Sequence, residues 1–145
     1  MSEKAEKAVL TFSKGYNCAQ SVMSVFCEEY GLDLNTALKL TTGLGGGLRC
    51  GEVCGAVSGA IVALSLKCGF YIEGDVDQKN YCNAKTYEFI EKFIAEHKFI
   101  QCRELLGVDI RTPEDHRKPE TREAHSKVCA NLIRDAVRIL ESMEY

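Results

Sequence analysis

Gly51-Glu52-Val53-Cys54-Gly55-Ala56-Val57-Ser58-Gly59-Ala60-Ile61-Val62-Ala63-Leu64-Ser65-Leu66 is the most apolar run of this chain, and no charge interrupts it after Glu52. It shows no alternation of apolar and polar residues, so it predicts a helix from about Glu52 to Lys67. A helix that is apolar on all sides belongs at the centre of a fold. From Val53 to Leu66 the run falls short of the roughly 18 residues that would suggest a membrane span, which makes it a buried helix. Glycines recur at Gly43, Gly47, Gly51, Gly55 and Gly59, and Ala63 extends the series. From Gly51 onward they would share one helical face. Each glycine inside a helix costs about 1 kcal/mol relative to alanine, so several on one face call for a close approach by another helix or a ligand. Helix packing is the leading expectation, with a homodimer packed through the same ladder as an alternative. Gly51 and Gly55, either side of Cys54, are the candidate cofactor-binding glycines, because their backbone could approach the Cys54 sulfur.

Outward from this run, only two prolines, no Trp and no sustained alternation leave little room for a sheet. The expectation is an all-α, single-domain bundle of about six helices over residues 1–145, around a central Gly/Ala-rich helix. A first helix spans about Ser2 to Ser13. Asn17 followed by Gln20 forms a capping-box signature for a second, which buries Ala19, Val22, Met23 and Phe26 and stops at Gly31. Asp33 caps a short helix through Leu38 and Leu40. Beyond the central helix, a long one from about Asp77 to His97 is expected to present Tyr87, Ile90 and Ile94 on one face, and a short one runs from Gln101 to Leu106. Residues 109–122 hold both prolines and read as an exposed connector. The last helix begins at Ser126 and runs to about Ser142, with Val128, Cys129, Leu132, Ile133, Ala136, Val137 and Leu140 on its buried stripe.

Eight cysteines stand out in a 145-residue chain that is long enough to bury a core without crosslinks. Four of them, Cys18, Cys54, Cys102 and Cys129, fall within the first turn of four different predicted helices. A helix start carries partial positive charge and unpaired N–H groups, which stabilise a thiolate, the form that binds metals. These four are therefore the candidate metal ligands, supplying what an iron-sulfur cluster or a zinc ion requires. Cys27 and Cys82 sit mid-helix and Cys68 near a helix end, where buried cysteines act as small hydrophobes. Cys50 lies in the glycine-rich loop, and with Cys54 it is a candidate redox-active pair. His125, four residues before Cys129, reads as a solvated side chain, the alternative being an approach to the same site. Arg49 and Glu52 form no recognisable acid-base pair.

The remaining patterns exclude function classes. No C-x2-C pair occurs, which removes zinc ribbons and thioredoxin motifs, and no C-x-x-C-H segment exists for covalent haem attachment. The loop Gly43-Leu44-Gly45-Gly46-Gly47 lacks the spacing of a dinucleotide fingerprint and the ending of a Walker loop. A net charge of -3, with basic residues interleaved among acidic ones, argues against nucleic acid as a partner. The opening Met1-Ser2-Glu3-Lys4 lacks a secretory pattern, so a cytoplasmic location is expected.

Asn17-Cys18-Ala19-Gln20, Gly43 to Gly47, Gly51 to Gly59, Cys102-Arg103-Glu104-Leu105-Leu106-Gly107 and Cys129 together resemble the C_GCAxxG_C_C family, a group named for redox activity and defined by four cysteines and a CGAxxG motif, here Cys54 to Gly59. The resemblance implies the same four cysteines as the family's set. Related domains occur beside haem-bearing segments in some cytochromes and are associated with an iron-sulfur centre, which implies electron transfer; this chain lacks the haem segment. Cys50 has no place in the family pattern.

The expected function is thus a small redox protein binding an iron-sulfur cluster, 2Fe-2S favoured, through Cys18, Cys54, Cys102 and Cys129, and exchanging electrons with a redox partner protein. It reads as an electron carrier rather than a substrate-converting enzyme. The alternatives are a metal-free thiol-disulfide protein and a zinc-stabilised helical module without catalysis.

Overall fold

Side-chain caps start the first helices where the sequence signals them. In the computed structural model, which describes residues 2–145, the Ser2 hydroxyl accepts from the Ala5 amide at the start of α1 (Glu3–Ser13). Asn17 and Gln20 form a reciprocal capping box at the start of α2 (Cys18–Ser24), and Asp33 accepts from the Thr36 amide to begin α3 (Leu34–Leu40). The apolar run becomes α4 (Gly55–Cys68), and Asp75 caps α5 (Val76–His97). Then follow α6 (Cys102–Leu106), α7 (Pro113–Arg117), α8 (Pro119–Ala124) and α9 (Ala130–Ser142). The protein is all-α and forms one domain. Among the described residues no strand occurs, and the one extended pairing is an isolated bridge between Val53 and Gln101.

Helix α4 is central, packing against α2, α5 and α9, while α1 lies across α2 and α9. The close approach of α2 and α4 is the helix packing that the glycine ladder called for. A Cβ on Gly59 would stand 2.7 Å from the Ala19 Cα, and one on Gly55 would stand 3.1 Å from the Ala19 amide nitrogen. The ladder's helical face is thus used inside the chain, and a homodimer would need another surface. Gly51 does not join that face. It precedes the helix in a loop with φ of +74°, packed against Ile110 and Arg103.

Several expectations need correction. Helix α2 ends at Ser24 rather than Gly31, and Cys27 follows it, leading into a single 3-10 turn, Glu28–Tyr30. On α5 the buried positions are Cys82, Phe89 and Phe93, whereas Tyr87 and Ile94 are exposed. The two phenylalanines bury more apolar area than the expected face would, and that decides the helix's rotation. The supposed exposed connector is folded: Thr112 and Asp115 form a capping box for α7, and both Ile110 and Thr121 are fully buried. Pro119 occupies the first turn of α8, where its missing N–H costs nothing. The chain then continues through one π turn, His125–Cys129, directly into α9. Ser126 is therefore no cap, and the final helical rod starts seven residues earlier than expected, at Pro119. With that rod taken as one, the described residues form eight helices rather than about six.

Candidate redox centre

Two backbone features position the cysteines. The segment before α4 is extended, so the Cys54 amide donates to the Ile100 carbonyl at 2.7 Å and the Cys102 amide donates to the Glu52 carbonyl at 2.6 Å. This short bridge sets Cys54 and Cys102 side by side. From the other direction, the capping box fixes Cys18 as the first residue of α2, and the missing side chain of Gly55 lets the Cys18 Cβ approach to 3.2 Å of where a glycine Cβ would be. Gly47 does the same for Cys102, whose Cβ lies 2.9 Å from the position a Gly47 side chain would take.

Cys129 arrives differently. It is not at a helix start but at the end of the π turn between α8 and α9. A π turn inside an α-helix inserts one residue and is often found at functional sites. Here it places Cys129 beside Cys18 and holds His125 Nδ1 3.1 Å from Cys129 Sγ. His125 is accordingly not a solvated side chain. Its pKa is lowered by burial and, secondarily, by Arg49, so the imidazole is held neutral.

The four cysteines are buried as neighbours, being 7, 2, 5 and 2% exposed for Cys18, Cys54, Cys102 and Cys129. The neighbouring Cys129 thiol, then burial, push the Cys18 pKa well above the ordinary thiol value. Burial, then Cys18, push Cys54 up to about 12, even though the amides of Ala56 and Val57 at the start of α4 approach its sulfur and pull the other way. Cys102 is also pushed to about 12 by burial and by Cys54 and Cys18, with Arg49 the opposing cation. Metal-free, Cys18, Cys54 and Cys102 are held protonated. Four thiolates can coexist there only if something positive offsets their mutual repulsion.

Arg49 was not legible as part of the site. Gly46, Gly47, Leu48 and Arg49 all have φ near +60°, a left-handed turn that costs energy at the two non-glycine residues. The turn is held by the His116 ring, whose Nε2 is 3.0 Å from the Arg49 carbonyl oxygen, and it brings the Arg49 charge toward Cys102 and His125. Glu52 pairs with Arg103 at 2.8 Å on the surface. Cys50 lies in the same left-handed segment, half-buried, with its thiol 3.5 Å from the Gly47 carbonyl, whereas Cys54 faces Cys18 and Cys102.

The pattern of four cysteines from four separate segments is also what a family comparison detects: residues 16–143 match the family described as "Putative redox-active protein (C_GCAxxG_C_C)". The chain belongs to the C_GCAxxG_C_C family. No curated protein and no solved structure matches it. The family's CGAxxG motif has a direct structural meaning here. Cys54 supplies the thiol at the start of α4, and Gly55 and Gly59 are the two positions that touch α2. The last glycine of the motif therefore sets the distance at which Cys18 faces Cys54.

Among the described residues, the group that brings three potential ligand atoms within 4.8 Å of one another is Glu96, His97 and Asp135, in which Asp135 also pairs with Arg138. The cysteines form no such tight group. Four thiolates on one zinc ion would lie about 3.8 Å apart, given Zn–S bonds of about 2.3 Å.

Proposed function

We propose that Cys18, Cys54, Cys102 and Cys129 hold an iron-sulfur cluster, 2Fe-2S in the first instance, and that the protein carries electrons to or from a protein partner in the cytoplasm. The observation that carries this reading is the convergence of four buried cysteines from four separate segments into one pocket. A cluster, when bound, would supply one-electron chemistry at potentials tuned by hydrogen bonds and burial.

The chain's own residues suit that task. The amides of Ala56 and Val57 face the Cys54 sulfur and can stabilise its thiolate. Arg49 contributes a positive charge beside Cys102, and His125 steadies Cys129 from outside the pocket. The bridge at Val53–Gln101 holds two ligands on one rigid unit, and burial keeps water from the sulfurs. Thiol-disulfide catalysis needs a thiolate at neutral pH, and the raised pKa values of Cys18, Cys54 and Cys102 oppose it. One observation favours that second reading: Cys18 and Cys129 are neighbours and could pair when metal is absent.

The test is to purify the protein without oxygen and measure iron, zinc and acid-labile sulfide per chain with the visible spectrum, for wild type and Cys54→Ser. Iron and sulfide present in wild type and lost in the variant are the expected result. No iron in wild type, with thiols lost in pairs on mild oxidation and regained with reductant, would replace the cluster by a Cys18–Cys129 dithiol. Zinc alone would make the site structural.

A further inference from the structure

A second pair of thiols meets at the other end of α4. Cys68, the last residue of that helix, has its sulfur 3.1 Å from the sulfur of Cys82, in the second turn of α5. Both are reduced and buried. Fourteen residues of helix, about 21 Å at 1.5 Å per residue, separate Cys68 from Cys54, so this pair shares nothing with the pocket described above.

The pair is buried but not sealed. Cys68 forms part of the floor of a surface cleft of about 230 Å³ whose walls include Gln78, Tyr81, Lys85 and Tyr145. Cys82 does not line this cleft and meets Cys68 at its sulfur. The phenol of the terminal Tyr145 lies against Cys68, and Lys67 and Lys85 stand over the Tyr145 and Tyr81 rings. Gln78 donates to the Cys68 carbonyl at 2.6 Å, which ties the end of α4 to the start of α5 and keeps the two cysteines facing. A thiol on the floor of a cleft, with a second thiol in contact with it, is the arrangement of an attacking and a resolving cysteine.

We propose that Cys68 and Cys82 are a second redox site, a dithiol oxidised to an intramolecular disulfide by low-molecular-weight disulfides that enter this cleft. The Cys68 thiolate attacks one sulfur of the small disulfide, forming a mixed disulfide at Cys68 and releasing one small thiolate. The Cys82 thiolate then attacks the Cys68 sulfur and displaces the second small thiolate. The two protein thiols lose two electrons, the small disulfide gains them, and two small thiols leave with the two protons.

Burial, and then Cys82, push the Cys68 pKa up to about 11, so the site responds slowly near neutral pH and its rate rises about tenfold per pH unit as pH climbs toward that value. That pace suits a switch that locks α4 to α5 rather than a turnover catalyst.

The full-length reduced protein is incubated with oxidised glutathione at several pH values, quenched by alkylation and mapped by mass spectrometry after proteolysis. The expected result is a linked peptide pair joining Cys68 to Cys82, reversed by dithiothreitol, forming faster as pH rises and raising the thermal midpoint. Cys82→Ser should instead retain the mixed disulfide at Cys68. A wild-type protein that stops at the mixed disulfide, or whose Cys68 and Cys82 stay unmodified while Cys50 reacts, overturns the proposal. The wild-type map decides even if the variant fails to fold, and Cys54→Ser, which removes a ligand of the other site, should leave the link unchanged.

Discussion

Replacing Gly59 by alanine should destabilise the protein although alanine is the better helix former. At a helix position with open space the exchange would gain about 1 kcal/mol. Here the new Cβ would sit 2.7 Å from both the Cα and the carbonyl oxygen of Ala19 and 3.1 Å from its carbonyl carbon. Carbon atoms in contact prefer about 3.5–4.0 Å, so α2 and α4 would have to part by about 1 Å. Backbone cannot swing away as a side chain tip can, which places the cost at the upper end of the ~1–3 kcal/mol seen for overpacking. Offset by the propensity gain, the net loss is about 1–2 kcal/mol, or roughly 3–7 °C in thermal midpoint for a chain of this size. Far-UV circular dichroism melts of Gly59→Ala and Gly43→Ala, both metal-free, make the comparison. Gly43 has open space around it and should tolerate alanine. If Gly59→Ala melts at or above wild type, the argument that this glycine exists for helix contact is wrong.

Gly47→Ala should act on the site more than on the helices: its φ is +62°, and a Cβ there would stand 2.5 Å from the Glu52 carbonyl oxygen and 2.9 Å from the Cys102 Cβ. The expected outcome is a metal content well below wild type in protein that keeps most of its helicity, measured by elemental analysis beside circular dichroism. Asn17→Ala removes the cap of α2 and the bonds from its side-chain amide to the Thr41 and Thr42 carbonyls, and should cost about 1–2 kcal/mol in urea unfolding. Asp115 is held down to about 2, chiefly by Lys118 and with help from the amides of Thr112 and Arg111. A depressed carboxylate contributes stability above its ordinary pKa and loses it as pH falls through the folded value. Unfolding midpoints should therefore drop between about pH 4 and pH 2 in wild type and drop less in Asp115→Asn over the same window.

Whether the fold could be read from the residues depended on how local each signal is. Caps at Asn17 and Asp33 act over three residues, and both start helices as the sequence suggests, while Ser2, read as the first helical residue, caps α1. The uncharged, mostly apolar run had to be central because its aliphatic side chains lie on every side of the helix, and it is. The rotation of α5 was harder. Tyr87, Ile90 and Ile94 make a plausible stripe, and only the competing area of Phe89 and Phe93, packed against other helices, selects the neighbouring face. The segment 109–122 misled for a related reason. Its two prolines both begin helices rather than break them, which needs the caps at Thr112 and Lys118 to be recognised.

At the candidate site, Cys18, Cys54 and Cys102 do stand at the starts of α2, α4 and α6, where the sequence places them. Cys129 fell in the same set for a different physical reason. The stripe from Val128 to Leu140 does not extend backward with constant phase, and a phase break normally marks a helix boundary. Here the break is a π turn: the helix continues, but one inserted residue rotates everything before it relative to everything after. That rotation lets one rod pack the buried Thr121 toward α7 and the stripe of α9 toward α4, with Cys129 at the junction and His125 folded back onto it. No periodicity argument applied to one window can tell a phase break with a gap from one without. What distinguishes them is the continuous run of helical dihedrals through Ala124, His125, Cys129 and Ala130. The fourth cysteine therefore depends on an irregularity of a single helix, whereas the other three depend on where helices begin.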